Sequence, residues 1–118
     1  MARKHDVINY IYEQYGIRPD HPWPESPTNQ VFRHSGNGKW FALLMEVQAN
    51  KVGLEGWELL DVLNIKCEPD MVAALAVQEG FAPAYHMNKK HWLTVILNDT
   101  VAEELVCNLV DMSFEMTR

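Results

Sequence analysis

Apolar residues recur along this 118-residue chain in two rhythms, one of three to four residues and one of two, and their succession lays out its elements. Val7, Ile8, Ile11, Tyr12 and Tyr15 share one face at helical spacing, and Gly16 stands where a left-handed cap would end that helix. Residues 17–28 then hold four prolines. Proline fixes φ and lacks an N–H, so this stretch is an extended connector, with Trp23 packing it onto the domain. The runs NQVFRH and KWFALLMEV flank Ser35-Gly36-Asn37-Gly38, whose residue types suit a tight reversal and predict a β-hairpin.

Residues 49–60 read as a loop with a turn of helix at Leu54–Leu60, and DVLNIKC alternates as a third strand. Pro69 opens a helix that Gly80 closes, with Val72, Leu75 and Ala76 turned inward. FAPAYHMNKK reads as a loop and HWLTVILN as a fourth strand. Thr100-Val101-Ala102-Glu103 has the form of a capping box, and Val101, Leu105, Leu109, Met112 and Met116 follow as an apolar stripe.

The predicted order is α-β-β-β-α-β-α. Three strands before the middle helix do not fit alternating βαβ units. The fold expected is therefore α+β, a single domain over residues 1–118: a mainly antiparallel sheet of about four strands with three helices on one face. Period two assigns Phe41, Leu43, Met45, Val47, Leu63, Ile65, Cys67, Leu93, Val95 and Leu97 to the helix side. Trp40, Ala42, Leu44, Val62, Asn64, Lys66, Lys90, Trp92, Thr94 and Ile96 fall on the opposite side, read as an open face.

Composition sharpens this picture. With 47% hydrophobic and 22% charged residues the chain matches ordinary folded proteins. It lacks any run near the ~20 apolar residues of a membrane span, and its N-terminus enters a helical pattern without an apolar leader. A cytoplasmic protein without membrane partners is expected. Cys67 and Cys107 form no C-x-x-C pair and lie in apolar runs, as buried free thiols do. No serine sits in a nucleophile elbow, and Glu103 and Glu104 complement a helix start, so no catalytic residue and no enzyme activity is expected.

The net charge of −6 disfavours purely electrostatic nucleic-acid binding, which needs Lys and Arg for the phosphates. The distribution matters more than the total. His86-Met87-Asn88-Lys89-Lys90-His91-Trp92 holds the clearest local excess of positive charge. Trp40 and Trp92 beside Lys66, Lys90 and Asn64 mix aromatic platforms with cations, as single-stranded nucleic-acid binding requires. The same mixture suits a protein interface, and a connector folded over the face would bury it without further role.

Pro22-Trp23, Gly38-Lys39-Trp40-Phe41-Ala42, Leu63-Asn64-Ile65-Lys66-Cys67-Glu68-Pro69 and the His86–Trp92 run resemble, in order, the signatures of the MmcQ/YjbR family. The final helix is similar too, although Ser113-Phe114 stands where that family often has Ser-Tyr. The resemblance implies a bacterial, frataxin-like α+β fold, described in the family as a "double wing" proposed to bind DNA. Its motif residues here are Lys39, Asn64, Lys66, Asn88, Lys89 and Lys90, which join Trp40 and Trp92 as the candidate nucleic-acid site. The alternative is a protein- or small-ligand-interaction module using the open sheet face. A metal-handling acidic ridge is weakly represented, since the first helix offers only Asp6 and Glu13.

No His, Cys, Asp or Glu cluster has ligand spacing, so no metal and no other cofactor is expected. Elemental analysis of protein purified without added metal should find iron and zinc well below one equivalent; a stoichiometric metal would refute this.

Overall fold

The computed structural model describes residues 2–118. Its elements are α1 (Lys4–Tyr15), β1 (Gln30–Arg33), β2 (Trp40–Gln48), a 3-10 turn (Ala49–Val52), β3 (Leu59–Lys66), α2 (Pro69–Leu75), β4 (Phe81–Pro83), β5 (Trp92–Ile96) and α3 (Glu103–Thr117). The strands form one sheet in the order β1-β2-β3-β5-β4, antiparallel throughout. The predicted α+β class and helix–strand order hold. The sheet has a fifth strand, β4, inside the segment read as a loop; three residues are too few to show alternation, and Pro83 is tolerated because β4 is an edge.

One hydrophobic core fills the space between the sheet and all three helices. Val7 and Ile11 of α1, Val72 of α2 and Val106, Leu109 and Val110 of α3 meet Leu63, Ile65, Leu93 and Val95 there. Leu97 and Cys67 also join it, as their strand parity predicts, and Leu75 and Ala76 pack on its margin. Gly16 caps α1 in the left-handed conformation (φ 68°), its N–H bonded to Tyr12 O. Gly80 does not cap α2, which ends at Leu75 and is capped by Ala76. It serves a close approach instead: at φ +91° it lies under the β5–α3 turn, where a Cβ would meet Val101 Cγ2 at 2.5 Å. The helical turn expected at Leu54–Leu60 is likewise displaced, to the 3-10 turn at Ala49–Val52.

Alternation along β2 predicts Leu43, Met45 and Val47 on the helix side, and the structure reverses this. Val31, Leu43, Met45, Val47, Val62, Ala82 and Ile96 form a second buried cluster on the other side of the sheet, while Ala42 and Leu44 face the helices. The cause is a bulge. Phe32 pairs with Ala42 but Arg33 pairs with Trp40, leaving Phe41 as an extra residue in β2. One extra residue inverts the parity of everything beyond it.

The bulge leaves backbone groups to satisfy, and α3 supplies the partner. Ser113 Oγ donates to the Phe41 carbonyl at 2.6 Å and accepts the Lys66 N–H at 2.9 Å. The β2–β3 ladder ends at the pair Ala42–Ile65, so Phe41 and Lys66 are the next residues in register, and one hydroxyl bridges them. This need sets the inward face of α3: Val106, Leu109, Val110, Ser113 and Thr117 are buried. Leu105, predicted to be core, is 39% exposed, and Met116 is exposed as well. The capping box is absent too. Helix α3 starts at Glu103 with Ala102 as N-cap, so a stripe phased from Val101 is displaced around the helix.

Hydroxyls and rings clamp the remaining joints. Thr117 Oγ1 donates to Ser113 O at 2.8 Å, which leaves the buried His34 as donor through Nε2 to the Thr117 oxygen, 2.7 Å away. Burial holds the His34 pKa below the ordinary histidine value. Phe114 stacks on Tyr15, with centroids 3.8 Å apart, and meets Phe41 edge-on at 5.0 Å. The hydroxyls of Tyr10 and Tyr15 both donate to Asp111, fastening α1 to α3; burial and then that carboxylate raise the Tyr10 pKa to about 12.

Val95 lies at 0% exposure in the central strand β5. Val95→Asp should abolish cooperative unfolding at 25 °C, because a buried unpaired charge costs more than a marginally stable domain holds. Leu105→Asp, on the exposed ridge of α3, should stay within about 0.5 kcal/mol of wild type. Circular dichroism melts of both variants check the corrected phase of α3; equal destabilisation would show it to be wrong.

Candidate functional site

The sheet side away from the helices carries the residues that the sequence singles out. Register places Leu43, Asn64 and Thr94 in one row across β2, β3 and β5. Asn64 and Thr94 are both 0% exposed. Thr94 Oγ1 donates to Asn64 Oδ1 and accepts the Tyr85 N–H at 3.0 Å, while Asn64 Nδ2 donates to Tyr85 O at 2.9 Å. Two side chains on adjacent strands thus hold both backbone groups of Tyr85. The loop that follows β4 is clipped onto the sheet, and the face is roofed rather than open. Trp23, Trp40, Tyr85 and Met87 complete the cover over the second cluster. Period two identifies the polar side of a strand; it does not distinguish solvent from a backbone that needs partners.

The polar run before β5 folds this roof. Lys89 Nζ donates to Ala84 O at 2.8 Å, spanning the loop's own chord. Asn88 Oδ1 accepts the N–H of Lys90 at 2.8 Å, and Asn88 O accepts that of Trp92 at 2.9 Å. His86 turns the chain through φ +61°, a left-handed conformation. Asn88 and Lys89 therefore close the loop while staying exposed, as Lys90 does.

Trp40, Lys66 and Trp92 occupy the next positions toward one end of the same three strands. Lys66 is paired in register with Trp92, and Trp40 begins β2 beside the end of β3. All three are half-buried, and exposed Lys39 and Lys90 flank them. Among the described residues the ion pairs involve Arg3, Arg33 and Arg118, so these lysines have no carboxylate partner within 4.0 Å. Of the eight candidates, five therefore gather at the sheet end: Lys39, Trp40, Lys66, Lys90 and Trp92. Asn64, Asn88 and Lys89 lie behind them as loop-closing residues. Trp23, read as an anchor, also belongs here, because its ring meets Trp40 at right angles with centroids 5.8 Å apart. The prolines around Trp23 signalled a constrained connector, but its partner required the tertiary fold.

Burial works against activation of either cysteine thiol. Burial, then Glu68, pushes the Cys67 thiol up to about 11, and burial raises Cys107 as well. Among the described residues no three His, Cys, Asp or Glu side chains are arranged to hold a metal ion, and no helix is long and apolar enough to cross a membrane.

A family model described as YjbR matches residues 12–116, nearly the whole chain. The chain belongs to the YjbR family. It is 38% identical to the uncharacterized protein YyaQ of Bacillus subtilis over the full length of both. A crystal structure of a Pseudomonas syringae protein, 43% identical, superposes with a TM-score of 0.95 over 98% of this chain and 99% of that one. The Deinococcus radiodurans protein DR2400, described by the domain name DUF419, is 26% identical with a TM-score of 0.75, covering 98% of this chain and 78% of its own.

Asn64→Leu removes the donor to the Tyr85 carbonyl and the acceptor of the Thr94 hydroxyl, leaving Thr94 alone to hold the Tyr85 N–H. It should cost about 1–3 kcal/mol in urea unfolding, since it strands a buried backbone carbonyl and the Thr94 hydroxyl. Amide exchange should accelerate from residue 85 to 91 and stay unchanged in β2. Unaltered exchange in the loop would show that other contacts hold the roof.

Proposed function

We propose that this YjbR protein is a non-enzymatic nucleic-acid-binding protein that holds single-stranded DNA weakly across the Trp40–Lys66–Trp92 end of its sheet. The observation that carries the reading is the placement of two half-buried indoles on either side of a lysine, on three adjacent strands, flanked by exposed Lys39 and Lys90. Bases stack on rings and ammonium groups meet phosphates, without need of base-specific contacts. Single strands are favoured over duplex because the cations are few and short-ranged while the aromatic surface is large. A protein docking flat on the middle of this face is disfavoured, since Tyr85 and its loop already occupy it.

Three lysines on a chain of net charge −6 support only weak binding. Titration of a fluorescent deoxythymidine oligomer at ~50 mM salt should give a Kd no tighter than about 1 μM, with a log–log salt slope on the order of −2. The variant carrying Lys66→Ala and Lys90→Ala should weaken binding alike for all sequences. Trp92→Ala should weaken single-stranded binding more than duplex binding. Absence of binding at low salt, or wild-type affinity in the double-lysine variant, overturns the proposal.

A further inference from the structure

Beside the sheet end, between the proline-rich connector and the roofing loop, lies a cleft of about 350 Å³. Its walls are Trp23, Trp40, Leu43, Met45 and Met87, and Glu25, Ser26, Asn29 and the exposed His86 also line it. Neither lysine nor arginine lines it, in contrast to the cationic residues a few positions away. The two indoles meet with their planes 88° apart, one edge against the other's face, so they make a corner rather than a flat platform. Leu43 and Met45 reach this side because of the bulge at Phe41, and Met87 because the clip at Tyr85 draws its loop over the sheet.

This cleft sets two perpendicular indoles, thioether and aliphatic walls and an imidazole beside one carboxylate. An indole face attracts a cation through its ring quadrupole, and a methylated ammonium loses little hydration on entering such a site. Glu25 supplies the countercharge, which would repel a phosphate or a carboxylate ligand. A neutral apolar ligand would use the walls but gain nothing from Glu25. We propose that the Trp23–Trp40 corner is a binding site for a methylated organic ammonium ion, with Glu25 as its counter-ion. It is a site separate from the nucleic-acid row, sharing with it the Trp40 ring alone.

The test uses choline and its neutral isostere 3,3-dimethyl-1-butanol against the folded chain, followed by the indole N–H resonances of Trp23 and Trp40. Choline should shift both, saturating at millimolar concentration, and the isostere should bind at least about threefold more weakly. Glu25→Gln should weaken choline about three- to tenfold and leave the isostere unchanged. Choline affinity should fall in the order wild type, Trp23→Phe, Trp23→Leu, with each variant's melt confirming that it folds. Glu25 is exposed, so Glu25→Gln decides the matter even if Trp23 variants unfold. Lys66→Ala should leave choline binding intact and Glu25→Gln should not weaken DNA binding, which keeps the two proposals separable. Equal affinity for the isostere, or no shift with choline at about fifty times the millimolar Kd expected of a lone cage, overturns the assignment.

Discussion

A single hydroxyl, that of Ser113, joins the longest helix of this molecule to its two longest strands. It bridges the Phe41 carbonyl and the Lys66 N–H at the point where the β2–β3 ladder gives out. Both groups are backbone, and a buried backbone group without a partner costs a large fraction of a small domain's stability. The bulge is tolerable because α3 brings a donor–acceptor to it. Conversely, the phase of α3 is set by the demand that Ser113 point at the sheet, which places Val106, Leu109 and Val110 in the core and turns Leu105 outward.

Consequences of the bulge reach the far side of the sheet. By inverting parity after Phe41, it places Leu43, Met45 and Val47 there, and a face so apolar cannot be left in water. The cover comes from two loops. One is stiffened by proline and seated by Trp23; the other is held by Asn64 and Thr94 through the backbone of Tyr85. Asn88 and Lys89 use polar groups to hold the second loop, while Lys89 and Lys90 both stay exposed before β5, with Lys39 and Lys66 nearby. The two proposed sites both lie on the rim: the sheet end with its two tryptophans, and the cleft behind Trp40.

The aromatic cluster around Phe114 shows a related economy. Phenylalanine there stacks on Tyr15, and Tyr15 itself provides a hydroxyl to Asp111 alongside Tyr10. The α1–α3 joint thus keeps two phenol–carboxylate bonds although position 114 carries no hydroxyl. A tyrosine at that position, as the MmcQ/YjbR resemblance would have it, is not needed for this joint.

Local chemistry made the class of fold legible. Gly16 ending α1, Pro69 opening α2, the glycine-rich reversal between β1 and β2, and the period-two runs of β3 and β5 are all decided within a few residues, by backbone sterics and by which side chains avoid water. The ordered motifs from Trp23 to Trp92 likewise carried the family. Other features depend on groups distant in sequence. Phe41 is a bulge because Ser113 lies 72 residues away to satisfy its carbonyl. Asn64 is buried because Tyr85, 21 residues on, offers its backbone. Trp23 becomes a wall because Trp40 meets it at a right angle. A hydrogen-bonding side chain looks the same in sequence whether water or a remote peptide group will be its partner, and only the closed tertiary structure makes that choice.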